Sequence, residues 1–308
     1  MQTHSTIRPQ VQPGLLESRM DGVERRMAAL TEQYGPKVTG QPSAAAQAAA
    51  YHFTAGGQRL RARLAIHAAL SLGLDPADGV TLAATAELLH NASLIHDDLQ
   101  DRSGSRRGVD TVWAAFGDSV AICAGDLLLS AAYAALSHFS DTSKLPALFA
   151  RVHERTSTAI RGQCADLSAG ARFHGDIAGF EAIAVAKSGA LLSLPLELPL
   201  VAAGLGAAAS AGRKAAEAFA IGYQIADDIA DWIDDAGEGP VPRSFNAVQV
   251  FEAAGFGGTA LMEARNLGIQ RLAAAAIIAG DLPQGSGTLL RDLALQLTAT
   301  LSQAGVAA

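Results

Sequence analysis

Apolar residues recur at three- and four-residue spacing along almost the whole chain, the periodicity of α-helices that bury one face or more. Breaks at glycine and proline divide the pattern into helices near 14–33, 43–54, 59–73, 79–99, 117–139, 145–172, 178–188, 190–204, 211–234, 245–254, 258–279 and 285–304. No run reads as a strand, because β-branched residues are sparse and aromatics make up only 5%. Alanine-rich helices of this length suit close packing in a single large all-α bundle. Residues 1–13 carry Pro9 and Pro13 without periodicity and are expected to be a mobile arm. No shift in composition marks a linker within 14–308, so one domain is expected there.

Composition narrows the class. A chain of 308 residues, 49% hydrophobic and 17% charged, can bury a substantial core and is not a disordered polymer. Its formal net charge of −7 argues against a nucleic-acid binder that neutralises phosphates, but not against a diphosphate ligand held through metal ions. The two cysteines, Cys123 and Cys164, supply neither a disulfide framework nor metal-ligand spacing and are expected as buried free thiols. No basic segment leading into an apolar one opens the chain, so a signal peptide is not expected. The most hydrophobic stretch, 189–212, is interrupted by Pro195, Glu197 and Pro199, and reads as buried helix rather than a membrane span. A soluble, cytoplasmic protein is the expectation.

The most informative chemistry is a repeated acidic spacing. Asp97-Asp98-Leu99-Gln100-Asp101 and Asp227-Asp228-Ile229-Ala230-Asp231 both read DDxxD. On a helix, Asp97 and Asp101 share a face, as do Asp227 and Asp231. Ionised carboxylates so close repel one another and call for a counter-charge. Mg²⁺ suits the role, since it prefers oxygen donors and commonly bridges one or two carboxylates to substrate phosphates. Two facing clusters predict a multi-metal clamp on a phosphorylated substrate. His90, Ser93, Asp97 and Asp101 form a polar line above Ala86 on the first helix, and Gln224, Asp227, Asp228 and Asp231 form one on the second, whose other stripe is Ile221, Ile225, Ile229 and Trp232.

Basic residues stand near both ends of this pattern. Arg102, Arg106 and Arg107 lie in a glycine-containing loop after the first cluster, and guanidinium forks match phosphate oxygens. Gly56-Gly57-Gln58-Arg59-Leu60-Arg61 opens a helix, combining N-terminal amides with guanidinium groups. Lys187 is the only base in 182–212, so it needs a partner, for which a diphosphate oxygen is a better candidate than an internal ion pair. Gly162, Gln163, Asp166 and Asp126 are either part of a metal–water network or core polar groups satisfied by neighbours. The histidines at 52, 67, 138, 153 and 174 have no ligand spacing.

These residues together resemble the trans-isoprenyl diphosphate synthase (polyprenyl synthetase) family. The matching segments are GGQRLR at 56–61, LLHNASLIHDDLQD at 88–101, RRG at 106–108, FGDSVAICAGDLLL at 116–129, GQCAD at 162–166, KSG at 187–189 and GYQIADDIAD at 222–231. The resemblance implies an all-α isoprenoid synthase bundle with a central active-site cavity, usually a homodimer, that uses Mg²⁺ to join an allylic diphosphate to isopentenyl diphosphate. It implies Asp97, Asp101 and Asp227 as principal metal ligands, supported by Asp98, Asp228 and Asp231, around two to three Mg²⁺ ions in the family's manner. By motif position Arg106, Lys187, Ser188 and Gln224 hold the allylic diphosphate, while Gln58, Arg61, His90 and Arg107 hold isopentenyl diphosphate.

Two departures from the family pattern bear on function. Gln58 stands where the family usually has lysine, and the lysines that normally follow the second cluster are missing. Between Asp227 and Ala264 the only base is Arg243. A linear trans-isoprenyl diphosphate of C15–C20 is the expected product, because Ala92 and Ser93 are small where bulky residues stop chain growth early in the family. Two alternatives stay open: a diverged enzyme that ionises a prenyl diphosphate without isopentenyl diphosphate (a cyclase or irregular coupling enzyme), and a non-catalytic subunit of a heteromeric synthase.

Overall fold

The computed structural model describes residues 13–32, 43–168, 175–235 and 246–303. Among these the chain is helical almost throughout: α1 Pro13–Glu32, α2 Ala44–Thr54, α3 Leu60–Ser71, α4 Pro76–Gln100, α5 Val112–Phe116, α6 Asp118–Leu136, α7 Leu145–Leu167, α8 Ile177–Ala184, α9 Ala190–Ala202, α10 Gly206–Asp235, α11 Ala247–Phe251, α12 Ala260–Gly280 and α13 Thr288–Gln303. The chain groups into two compact units, one drawn from 1–150 with 198–204, the other from 151–197 with 205–308.

In the first unit α4 packs on α6, α3 and α1. It starts earlier than apolar periodicity predicts, because Pro76 occupies its first turn and the Asp75 carboxylate accepts the Ala77 amide at 2.8 Å. Leu82, Ala83, Ala86, Leu88 and Ile95 of α4 are fully buried, as are Ala121, Ala124, Ala132 and Ala135 of α6. Such short side chains let two helix axes approach closely. In the second unit α10 packs along α12, which packs on α13. Gly222 permits the approach: a Cβ there would lie 2.5 Å from Leu272 Cγ and 3.0 Å from the Gly268 carbonyl oxygen. Glu197 is completely buried in this unit, where its carboxylate accepts from Arg155 Nε at 2.6 Å and Ser193 Oγ at 2.6 Å, with Arg151 Nη1 at 3.1 Å.

Several local expectations are corrected. A two-residue antiparallel pair, β1 Ser105–Arg106 with β2 Val109–Asp110, occupies a stretch read as loop. The helix expected over 178–188 gives way at Val185–Gly189 to a π-helical turn, and α10 begins at Gly206 rather than 211. Cys123 and Cys164 are exposed, not buried. The segment around Cys123 is apolar on every side, so periodicity could not tell which face would be covered. The arm at 1–12, the end of the helix expected at 145–172, His174, the acidic run beyond 235 and Arg243 lie outside the described residues. Two segments, Asp118–Leu136 and Ile177–Ala202, are long and apolar enough to cross a membrane by length and composition. The second contains the buried, ion-paired Glu197.

Candidate active site

The last turns of α4 carry the first acidic cluster. His90, Ser93 and Asp97 are half-buried and Asp101 is exposed, while Ala92 and Ile95 beside them are buried. Asp98 turns inward, only 2% exposed, and receives Arg106 through both forks, Nε at 2.9 Å and Nη2 at 2.7 Å. This bidentate pairing raises the Arg106 pKa above its already high ordinary value. Arg106 is presented by the β1–β2 hairpin, whose turn residues Arg107 and Gly108 both take positive φ, 53° and 81°. Paired positive φ values make a turn whose twist matches that of the strands it joins. The Arg107 guanidinium donates to the Gly56 carbonyl and fills the space where a side chain on Gly57 would lie. The hairpin is thereby tied to the glycine turn that precedes Arg61.

His90 sits within the field of this basic group. Removal from water, then Arg61, Arg106, His52 and Arg107, push its pKa well below 6.5, so the imidazole is neutral. Four residues singled out from the sequence, Arg61, His90, Arg106 and Arg107, are therefore gathered in one electrostatic neighbourhood of the first unit. Gln58, at the head of α3, is exposed. Arg59 has a structural role instead. It adopts φ 48° and its guanidinium meets Glu24 at 2.7 Å, Asn91 Oδ1 at 3.3 Å and buried Glu87 at 3.7 Å.

That supporting network escaped the sequence reading. Asn91 Oδ1 also meets His52 Nε2 at 3.1 Å, and Glu87 accepts the Ala62 amide at 3.0 Å. The only signal for it was buried polar residues on otherwise apolar turns of α2 and α4. Burial lowers the His52 pKa from 6.5 to about 4. The unfolded chain takes up a proton near pH 6.5 while the folded one does not until about pH 4, so the contribution present at neutral pH is lost as pH falls across this window. Wild type is expected to lose about 3 kcal/mol more than His52→Gln between pH 7 and pH 4, a difference that urea unfolding at both pH values measures. Equal losses would show that His52 protonates freely in the fold.

The second cluster lies on α10 in the other unit. Ile221, Ile225 and Ile229 are buried, whereas Gln224 and Asp231 are half-buried and Asp227 is exposed. Asp228 again turns inward. Its carboxylate accepts from Gln224 Nε2 at 2.9 Å and from the Ala247 amide at 2.8 Å, and its backbone carbonyl accepts from Asn246 Nδ2 at 2.8 Å. Burial raises the Asp228 pKa to about 7, despite those two hydrogen bonds. In each DDxxD cluster the second acid therefore fastens neighbouring chain, and the first and last remain on the outer face.

The donors fit magnesium rather than a softer ion. Among the described residues no three histidine, cysteine or acidic side chains converge to enclose a metal by themselves. Each cluster instead offers a pair of carboxylates at i and i+4, which matches an ion that keeps several waters and completes its shell with substrate phosphate.

Lys187 lies in the π-helical turn of the second unit, with Nζ 2.5 Å from Asp166 of α7. An internal ion pair is thus present, and Asp166 is satisfied by a neighbour; Glu197 belongs to Arg155 and not to Lys187. Gly162 explains the approach of α7, since an added Cβ would overlap the Lys187 backbone nitrogen and Ala186. Gly162→Ala is expected to cost about 1–3 kcal/mol through overpacking, read as a lowered Tm together with lowered activity. Unchanged stability would show that the helix has room to move. Asp126 Oδ1 lies 3.6 Å from His96 Nε2, a neighbour contact on the surface.

Residues 42–239 match the polyprenyl synthetase family. The chain belongs to that family. Within this family of trans-isoprenyl diphosphate synthases, the (2E,6E)-farnesyl diphosphate synthase of Mycobacterium tuberculosis is 39% identical over 150 residues, covering 48% of this chain and 41% of that protein. The chain thus aligns with about two fifths of the length of that relative. The farnesyl diphosphate synthase of Geobacillus stearothermophilus is 33% identical over 199 residues, 62% of this chain and 67% of that one. A crystal structure of a decaprenyl diphosphate synthase from Rhodobacter capsulatus superimposes with a TM-score of 0.77 at 21% identity, covering 94% of this chain and 98% of that chain. That likeness bears out the expected all-α isoprenoid synthase fold.

Proposed function

We propose that this polyprenyl synthetase joins an allylic diphosphate to isopentenyl diphosphate and releases a linear trans-isoprenyl diphosphate of C15–C20, acting through residues 14–308 as one domain, in the cytoplasm and as a homodimer. The observation that carries the reading is that each cluster sets its first and last acids at i and i+4 on one helix face, Asp97 with Asp101 and Asp227 with Asp231, while its second acid turns inward. Two relatives are farnesyl diphosphate synthases, which supports the short product, as does the small size of Ala92 and Ser93 just before the first acidic cluster.

Asp97 with Asp101, and Asp227 with Asp231, would each hold Mg²⁺ together with substrate phosphate, and the ion would supply Lewis acidity toward the leaving diphosphate. Asp98 serves by fixing Arg106, and Asp228 by fixing Gln224 and the start of α11. Arg106, Lys187, Ser188 and Gln224 bind the allylic diphosphate, with Lys187 exchanging Asp166 for a phosphate oxygen. Arg61, Arg107, neutral His90 and Gln58 bind isopentenyl diphosphate. The allylic C–O bond breaks with its electron pair passing to the leaving diphosphate. The isopentenyl double bond attacks the allylic cation to form the new C–C bond, and a proton is then lost to the departed pyrophosphate. Apolar helix walls exclude water that would quench the cation.

The test is incubation with Mg²⁺, labelled isopentenyl diphosphate and C5, C10 or C15 allylic diphosphates. Longer label-bearing diphosphates are expected. A second reading rests on Gln58, which offers a dipole where the family offers a charge. Pyrophosphate release without isopentenyl diphosphate, yielding hydrocarbon or alcohol, would establish that ionising role instead. Activity appearing only with an added second protein would identify a subunit of a heteromeric synthase.

A further inference from the structure

Helix α1 carries two charge patterns on different faces. Glu17 and Glu24, seven residues apart, meet α3 and its approach: Glu17 accepts from Arg63 at 2.8 and 3.2 Å, and Glu24 from Arg59 at 2.7 Å. Arg19 and Arg26, also seven apart, border with Arg25 a cavity of about 620 Å³ where α1 passes the start of α4. Among the described residues none of these three arginines has an ion pair or hydrogen bond, and the Arg19 Nε is buried without a partner. The contrast within the same unit is plain: Arg59, Arg63, Arg102 and Arg106 each hold an acid.

The cavity is built rather than incidental. Gly22 brings α1 against α4, with the position of a Cβ only 3.2 Å from Val80 Cγ2, and both residues line the cavity. The acid in the lining, Asp75, is already committed to the Ala77 amide. Asp78 of the same turn is committed to Ser140, through its amide at 2.9 Å and its hydroxyl at 2.6 Å. Three guanidinium groups around one concavity, without an acid partner among the described residues, repel one another, and an anion seated between them lowers that repulsion. Planar forks match phosphate oxygens two at a time, and three forks exceed what one phosphate group can occupy.

We propose that this cavity binds a small molecule bearing a diphosphate, anchored by Arg19, Arg25 and Arg26 and distinct from both aspartate clusters. The assignment does not depend on the proposed reaction. The same chemistry is offered by free inorganic pyrophosphate and by an organic diphosphate whose body lies against Val80.

Calorimetric titration of the full chain in EDTA, where metal-dependent binding is silent, tests it with inorganic pyrophosphate and with ADP as probes. In Arg61→Gln/Arg107→Gln, which removes the metal-free diphosphate contacts of the proposed reaction, saturable binding at one site per chain is expected, weakened about tenfold or more when Arg19→Gln/Arg26→Gln is added and unchanged when Arg161→Gln/Lys214→Gln is added, which removes two exposed positive charges elsewhere. Tighter binding of ADP would assign an organic diphosphate, and equal binding free pyrophosphate. If the double arginine variant misfolds, Arg25→Gln on the exposed rim should still weaken binding several-fold. No saturable binding at millimolar probe, or equal weakening in both double variants, would overturn the proposal.

Discussion

Asp97→Ala and Asp227→Ala are each expected to lower turnover by about 10²-fold or more while leaving the fold intact, because each removes a carboxylate proposed to ligate magnesium from an i, i+4 pair. Asp97 is half-buried and Asp227 exposed, so truncation opens no core cavity and the Tm should stay close to that of wild type. Raising Mg²⁺ should recover part of the activity, since the remaining carboxylate and the substrate phosphates still offer oxygen donors. Asp98→Ala makes the informative comparison. It frees Arg106 and leaves a buried space, so both stability and the KM for the allylic substrate should suffer. Steady-state kinetics with thermal melts separate the cases. Near-normal turnover in either Asp97→Ala or Asp227→Ala would contradict the assigned roles.

Glu197→Ala is expected to produce the largest loss of stability, about 3–5 kcal/mol, because it leaves the buried Arg155 guanidinium with only the exposed Glu154 carboxylate, 3.4 Å away. The Arg155 side chain is only 8% exposed and that of Glu197 fully buried, so water cannot replace the missing partner. Ser193 would lose its 2.6 Å acceptor as well. Against a typical total of about 5–15 kcal/mol, such a loss leaves little margin. Replacing both partners, in Arg155→Met/Glu197→Met, should restore most of the stability, since two apolar groups need no compensation. Urea unfolding of the three proteins measures this. A single substitution costing under about 1 kcal/mol would show that the pair is wet.

Much of the fold was open to reading from residue order. Helical periodicity located the long helices because their apolar faces repeat every three or four positions, and the sparse β-branched residues left little else. Ends were less legible. The start of α4 depended on Asp75 and Pro76, which carry no apolar signal. The hairpin was missed because two residues per strand are too few to show alternation, and it is held by contacts from Arg106 to Asp98 and from Arg107 to Gly56. The π-helical turn at Lys187 left no periodic signal, and its close neighbour Gly162 comes from another helix.

The order of residues by itself determined an all-helical chain with two acidic clusters of equal spacing, because helix period and carboxylate spacing are both local properties. It also singled out Arg61, Arg106, Arg107, Lys187 and His90 as candidates to meet phosphate. Only the tertiary structure decided how each cluster divides its labour. Asp98 and Asp101, or Asp228 and Asp231, are indistinguishable as letters. Asp98 faces inward because the hairpin delivers Arg106 to it, and Asp228 because α11 begins with an amide beside it. The same holds for Lys187, whose acidic partner came from α7 rather than from the nearer Glu197, already claimed by Arg155. Burying a charge demands a partner at hydrogen-bond distance, and that distance exists only once the helices are packed.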